Sequence, residues 1–168
     1  MAGEPVSTPQ RLELTRGIGF DTLLRSPNPY GTITCPLRPQ ADSVKMARDI
    51  TRLTLGNWGL SHLGDDAALV VSELVTNAIR YACHQNGHIG HIGREGEYPI
   101  TLLLLRVSAH VLLAVADQSD AIPIPREPDS TSEHGRGLYI VETYSQEWGW
   151  DPLARGGKAV WAVFRADL

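Results

Sequence analysis

The chain has 168 residues, a formal net charge of -4, 42% hydrophobic residues and 20% charged residues. That length and mixture suit one domain with its own core, and the acidic balance argues against a basic nucleic-acid-binding surface. No apolar run is long enough for a membrane span, and Met1-Ala-Gly-Glu-Pro5 lacks a basic and then apolar signal region, so a cytoplasmic protein is expected.

Residues 1 to about 30 hold Pro5, Pro9, Pro27 and Pro29 with Gly3, Gly17 and Gly19 between them. This spacing predicts a flexible tail, in which Leu12, Leu14, Ile18, Phe20, Leu23 and Leu24 offer a short docking element. Gly31 to Pro36 reads as a strand. Ser43 to Leu55 reads as a helix, with Asp42 and Ser43 as caps and Gly56-Asn57 as a stop. A second helix starts at Asp65 or Asp66 and runs to about Ala82. A Gly- and His-rich loop follows, from Cys83 to Pro99. Ile100–Val107 and Val111–Ala116 are short, Val- and Leu-rich runs joined by a polar turn, which predicts a hairpin. After a loop from Asp117 to Glu133, Gly137 to about Glu147 reads as a helix. Lys158 to Phe164 closes the chain as a strand behind the turn Arg155-Gly-Gly157. The sum is an α+β fold: helices on one face of a mixed, mostly antiparallel sheet.

Cys35 and Cys83 make no disulfide framework and suit a reducing compartment. Cys83, His84, His88 and His91 are ligand types for zinc, but their spacing matches no standard finger, and a surface loop is the simpler reading.

Three segments carry the chemistry. On the second helix, at about 100° per residue, Ala67, Val71, Leu74, Val75, Ala78 and Ala82 share one side. Glu73, Asn77 and Arg80 then fall within roughly 60° of each other on the opposite side. This face serves either as the solvated side of an amphipathic helix or as one wall of a site. As a wall, its oxygen atoms suit a hydrated Mg²⁺ and Arg80 suits a phosphate oxygen. Asp117 ends an apolar strand, where a carboxylate can accept from an exocyclic amine and so tell adenine from guanine. Ser119 and Pro123 shape the turn behind it. Gly135-Arg136-Gly137 precedes a helix, whose first N–H groups attract phosphate. The polar, Pro-containing stretch from Pro123 to Gly135 suits a lid. No P-loop and no dinucleotide fingerprint occurs.

Together these segments resemble the GHKL ATPase superfamily, and within it the anti-sigma-factor serine/threonine kinase branch. Ser72-Glu-Leu-Val-Thr-Asn-Ala78 resembles the branch's N-box. Asp117-x-Ser119-x-x-x-Pro123 resembles its first glycine box, and Gly135-Arg-Gly-Leu-Tyr-Ile-Val141 its second. Ser43-Val-Lys-Met-Ala-Arg48 and Gly156-Gly-Lys-Ala-Val-Trp161 are similar to its first helix and last strand. The resemblance implies a Bergerat-type two-layer α/β sandwich over residues 31–168 that binds ATP and Mg²⁺. It implies that Asn77 ligates Mg²⁺, that Asp117 meets the adenine amine, and that Glu73 is the catalytic base. Arg80, Ser119, Pro123, Gly135, Arg136, Gly137 and Leu138 would complete the nucleotide site, and Arg48 would meet the partner. That partner would be a small STAS-type anti-sigma-factor antagonist, with a sigma factor as a second one; a homodimer is compatible, and neither nucleic acid nor membrane is expected. The chain departs from the branch at Ser132-Glu133-His134, where sporulation members carry a basic lid residue; Arg126 and Arg136 are candidate substitutes. A nucleotide-gated protein-binding regulator with little turnover is therefore the alternative to a kinase.

Overall fold

Leu102–Leu105, Val111–Ala116 and Ala159–Phe164 are apolar at every position, so successive side chains supply both faces of a sheet and both are buried. The computed structural model describes residues 20–23, 31–85, 100–125, 136–154 and 156–167, the side chains of Phe20, Leu23 and residues 82–85 excepted. In chain order the elements are α1 (Phe20–Leu23), β1 (Thr32–Leu37), α2 (Ala41–Asn57), a 3₁₀ turn (Ser61–Leu63), α3 (Gly64–Gln85), β2 (Ile100–Val107), β3 (His110–Asp117), α4 (Gly137–Tyr144), β4 (Glu147–Pro152) and β5 (Lys158–Arg165). The sheet order is β1-β2-β3-β5-β4. Every pairing is antiparallel, so the expected mostly antiparallel sheet has no parallel pair among the described strands.

One face of the sheet presents Leu102, Leu104, Leu113, Val115, Val160 and Phe164 to the buried faces of α2, α3 and α4. The helix residues that meet them include Ala47, Leu55, Val71, Leu74, Val75, Ala78 and Val141. This is the stripe expected for α3, and it leaves Glu73 and Asn77 half-buried and Arg80 exposed. The opposite sheet face carries a second buried cluster, Leu103, Leu105, Leu112, Ala114, Trp161 and Val163. The Trp161 indole donates to Asp151 Oδ2 at 2.8 Å, so its polar edge is satisfied although the ring is fully buried.

The hairpin of β2 and β3 matches its expected limits to within a residue. The end of the last helix differs. Instead of running to about Glu147, it stops at Tyr144. Ser145 is extended, and its hydroxyl donates to the Val141 carbonyl, one of the last-turn acceptors. Gln146 N–H then bonds to the Val163 carbonyl at 2.9 Å, and the chain becomes the edge strand β4 along β5. The tail is described only at α1, where the Asp21 carboxylate accepts from Ala154 N–H at 3.2 Å. The remainder of the tail, the His-rich loop with His88 and His91, the His84 and Cys83 side chains, and the lid from residue 126 to Gly135, including Arg126, lie outside the described residues.

Candidate functional site

Strand register places the base of the site. Asp117 is the last residue of β3 and pairs directly with Lys158, the first of β5. Asp117 shares parity with Val111, Leu113 and Val115, and Lys158 shares it with Val160, Ala162 and Phe164. Both side chains therefore stand on the helix-covered face of the sheet. Lys158 Nζ lies 2.9 Å from Asp117 Oδ1 and 3.1 Å from Oδ2, and also donates to the Ser119 carbonyl at 3.1 Å. The ammonium sits 5.0 Å from the centre of the Tyr81 ring, on α3. Both charged groups are buried, with relative exposures of 6% for Asp117 and 2% for Lys158.

The turn after β3 is built from its own side chains. Ser119 N–H donates to Asp117 Oδ1 at 2.8 Å, and Ala121 N–H donates to Ser119 Oγ at 3.2 Å. These are the local side-chain bonds that favour Asp and Ser in turns. Gly157 N–H bonds to Asp120 at 2.8 Å and ties the turn before β5 to the same loop. Only glycine fits there: φ is +77°, and a Cβ would stand 2.0 Å from the Asp117 carbonyl oxygen.

Above this base lies a cleft lined by Leu74, Asn77, Ala78 and Tyr81 of α3, Asp117 and Pro123, Leu138 of α4, and Lys158 and Val160 of β5. Its walls are mostly apolar and its polar groups few, the composition of a small-molecule site. Four of the residues expected from the sequence thus meet in one cleft: Asn77, Asp117, Pro123 and Leu138. Gly137 stands beside them at the start of α4. A Cβ there would come within 2.6 Å of Glu73 Oε2 and 3.5 Å of Asn77 Nδ2. The close approach of α4 to α3 therefore brings Glu73, Asn77 and Gly137 to one point. Among the described residues, no hydrogen bond engages the Glu73 carboxylate or the Asn77 amide. Arg136 and Arg80 are exposed, Ser119 is buried beneath the loop, and none of these three lines the cleft. Arg48 is half-buried on α2 and lies outside the cleft.

Burial pushes the Glu73 carboxyl above the ordinary range, and the nearby Arg80 guanidinium partly opposes this. Burial also pushes the Asp117 carboxyl up; the Lys158 ammonium and the Ser119 N–H hold it down, and the Asp120 charge adds to the rise. Tyr81, Lys158 and Val160 are not among the site residues that the sequence indicates, and Leu74 and Ala78, expected on the core-facing stripe, also line the cleft. A signal for Lys158 exists in the sequence. It occupies the core-facing parity of an otherwise apolar strand, and such a cation requires a partner.

The sequence pattern of the histidine kinase-like ATPase domain matches residues 37–164. The chain belongs to this family. Membership covers all the cleft residues, and it accords with the GHKL resemblance of the three segments. In fold, the chain is similar to a chain comprising the RsbU and RsbW domains of Rv1364c from Mycobacterium tuberculosis, at 20% identity and a TM-score of 0.57. The match covers 84% of this chain and 33% of that one, so the protein spans about a third of that relative's length. It is also similar to a chain of the SiaB-SiaC complex from Pseudomonas aeruginosa, at 15% identity and a TM-score of 0.54, covering 94% of this chain and 100% of that one. No curated protein matches the chain.

The cleft fits the adenine nucleotide that the family implies. A carboxylate has about four acceptor positions. Three on Asp117 are used, by Ser119 N–H and Lys158 on Oδ1 and by Lys158 on Oδ2. One position on Oδ2 is left for a ligand amine. Leu74, Ala78, Pro123, Leu138 and Val160 supply the apolar part of the same cleft. No cluster of three His, Cys, Asp or Glu side chains able to hold a metal occurs among the described residues. An Asn amide oxygen is a ligand that suits Mg²⁺ when phosphate and water complete the shell.

Proposed function

We propose that this protein binds Mg·ATP in the cleft and transfers the γ-phosphoryl group to a serine or threonine of a small protein, as kinases of the anti-sigma-factor type do. The observation that carries this reading is the convergence of Glu73, Asn77 and Gly137 at the mouth of a cleft whose base is Asp117. Asn77 would share Mg²⁺ with the phosphates. The first N–H groups of α4, with Arg80, Arg136 and Gly135, would take up phosphate charge. Glu73 would accept the proton of the attacking hydroxyl as its oxygen bonds to the γ-phosphorus and ADP leaves. Burial favours that role, because it raises the basicity of the carboxylate.

The acceptor we propose is a STAS-type anti-sigma-factor antagonist, met in part by Arg48 on α2, with a sigma factor as a second partner. The fold similarity to a chain that includes an RsbW domain supports this choice. A second reading is favoured by Ser132-Glu133-His134, where the sequence has no Arg or Lys just before the second glycine box. There, ATP would order a partner-binding surface with little turnover. Calorimetry with Mg·ATP, followed by labelled-phosphate transfer to antagonist proteins from the same genome, separates the two. Binding with transfer that disappears in Glu73→Ala supports the kinase. Binding with no transfer to any antagonist, and with partner affinity changed by ATP, supports the gated regulator.

A further inference from the structure

Lys158 is the one buried cation among the described residues, and the nucleotide reading leaves it without a task. Its three protons have three acceptors: both Asp117 oxygens and the Ser119 carbonyl. Nothing is left with which to touch a ligand as a donor. What it does instead is define its neighbour. With Ser119 N–H it fills three of the acceptor positions on Asp117, so that one, on Oδ2, is left on a residue that lines the cleft.

We propose that Lys158 is a specificity-determining positioning residue: it fixes Asp117 as a pure acceptor, so that the bound base must present an exocyclic amine. The inference rests on the nucleotide reading of the cleft. An ionised Asp117 accepts from the six-position amine of adenine and is repelled by the six-position oxygen of guanine. A protonated Asp117 would carry an O–H able to donate to that oxygen, and the site would lose its preference. The environment pushes towards the protonated form. Among the described residues, the charged or titratable groups facing Asp117 are Lys158 on β5, Asp120 in the loop and the Tyr81 phenol across the cleft on α3. Lys158 alone supplies positive charge. Burial and Asp120 both favour the neutral acid, and without Lys158 they act against the Ser119 N–H alone. Selectivity in this site is then coupled to a cation that never contacts the base.

The test is calorimetry of ATP and of GTP, each with Mg²⁺, on the full chain and on Lys158→Met at one mildly acidic and one mildly alkaline pH, because burial pushes the Asp117 carboxyl up. Methionine keeps length and volume in a fully buried position and removes the charge. The wild type is expected to prefer ATP by the same ratio at both pH values. Lys158→Met is expected to lose about tenfold or more of that ratio at the lower pH and to recover it at the higher one. An unchanged ratio at both pH values overturns the proposal, and so does an equal, pH-independent loss of both nucleotides, which marks a merely structural role. Absence of ATP binding by the wild type removes the nucleotide reading, and this inference with it. If Lys158→Met does not fold, the carboxyl carbon resonance of Asp117 in the wild type, assigned with Asp117→Asn, decides. An ionised signal at about pH 7 is expected; a protonated one overturns the proposal.

Discussion

Asn77 and Glu73 sit one turn apart on α3, and single substitutions separate their roles. Asn77→Ala removes the amide oxygen offered to Mg²⁺ but leaves Asp117 and the apolar walls in place. Mg²⁺-dependent ATP affinity should fall about tenfold or more, while the weaker affinity measured in EDTA stays. Calorimetry with and without metal reads both numbers; equal losses in the two conditions would remove Asn77 from the metal site. Glu73 carries a pH signature. Only its carboxylate can take a proton, so transfer should fall as pH drops through its pKa. Burial places that pKa above the ordinary glutamate value of 4.5, with Arg80 limiting the rise. The acid limb of the rate profile should therefore lie at higher pH than an exposed glutamate would give. Arg80→Ala should move it higher still, because that substitution removes the one influence that lowers it. A limb unmoved by Arg80→Ala would place the proton on another group.

At the scale of elements, two glycines show how differently tight packing can be used. At Gly137 the obstacle to a Cβ is the end of the Glu73 side chain, which can rotate away. Gly137→Ala should change stability by no more than about 1 kcal/mol, since helix propensity and a shifted rotamer nearly offset each other. Phosphoryl transfer should nevertheless collapse, because Glu73 is the group displaced. At Gly157 the obstacle is the backbone of Asp117 and Gln118, and φ is +77°. Gly157→Ala should cost about 2 kcal/mol or more. Denaturant melts beside transfer assays distinguish the two outcomes. The elements themselves were unevenly legible. The hairpin and α3 could be read because each is a long run with one clear period. β4 could not, since its Glu147-Trp-Gly-Trp-Asp-Pro152 follows the apolar run of α4 with only Ser145 and Gln146 between them. A helical pattern simply continued through that join. What ends the helix is the Gln146 bond to Val163, a tertiary contact no local signal reports.

At the scale of the whole molecule, the site exists only because distant segments are brought into register. The motifs marked Glu73, Asn77, Asp117, Gly137 and Leu138, each of which a local pattern makes visible. Tyr81 stayed hidden, and Lys158 showed only as a cation at the core-facing parity of β5, because their task depends on β5 lying beside β3 and on α3 crossing above both. The cleft is thus shared between α3, α4, β3 and β5, and a ligand filling it ties the helical layer to the sheet. Ligand binding should therefore stabilise the fold as one unit. Mg·ATP at about a hundred times its dissociation constant should add about 2.7 kcal/mol, or about 5–10 °C in Tm for a chain of this size. The wild type should show this shift with ATP and much less of it with GTP. Asn77→Ala should lose most of it without a change in its own unliganded Tm, because its side chain makes no hydrogen bond that the fold relies on. A thermal melt read at once by far-ultraviolet dichroism and by tryptophan fluorescence checks both points. Trp148 packs in the helix-side core and Trp161 in the opposite cluster, so one common midpoint would show that both sides of the sheet respond to the nucleotide together. Two midpoints, with only one moving on addition of Mg·ATP, would mean that the ligand secures the helix layer alone.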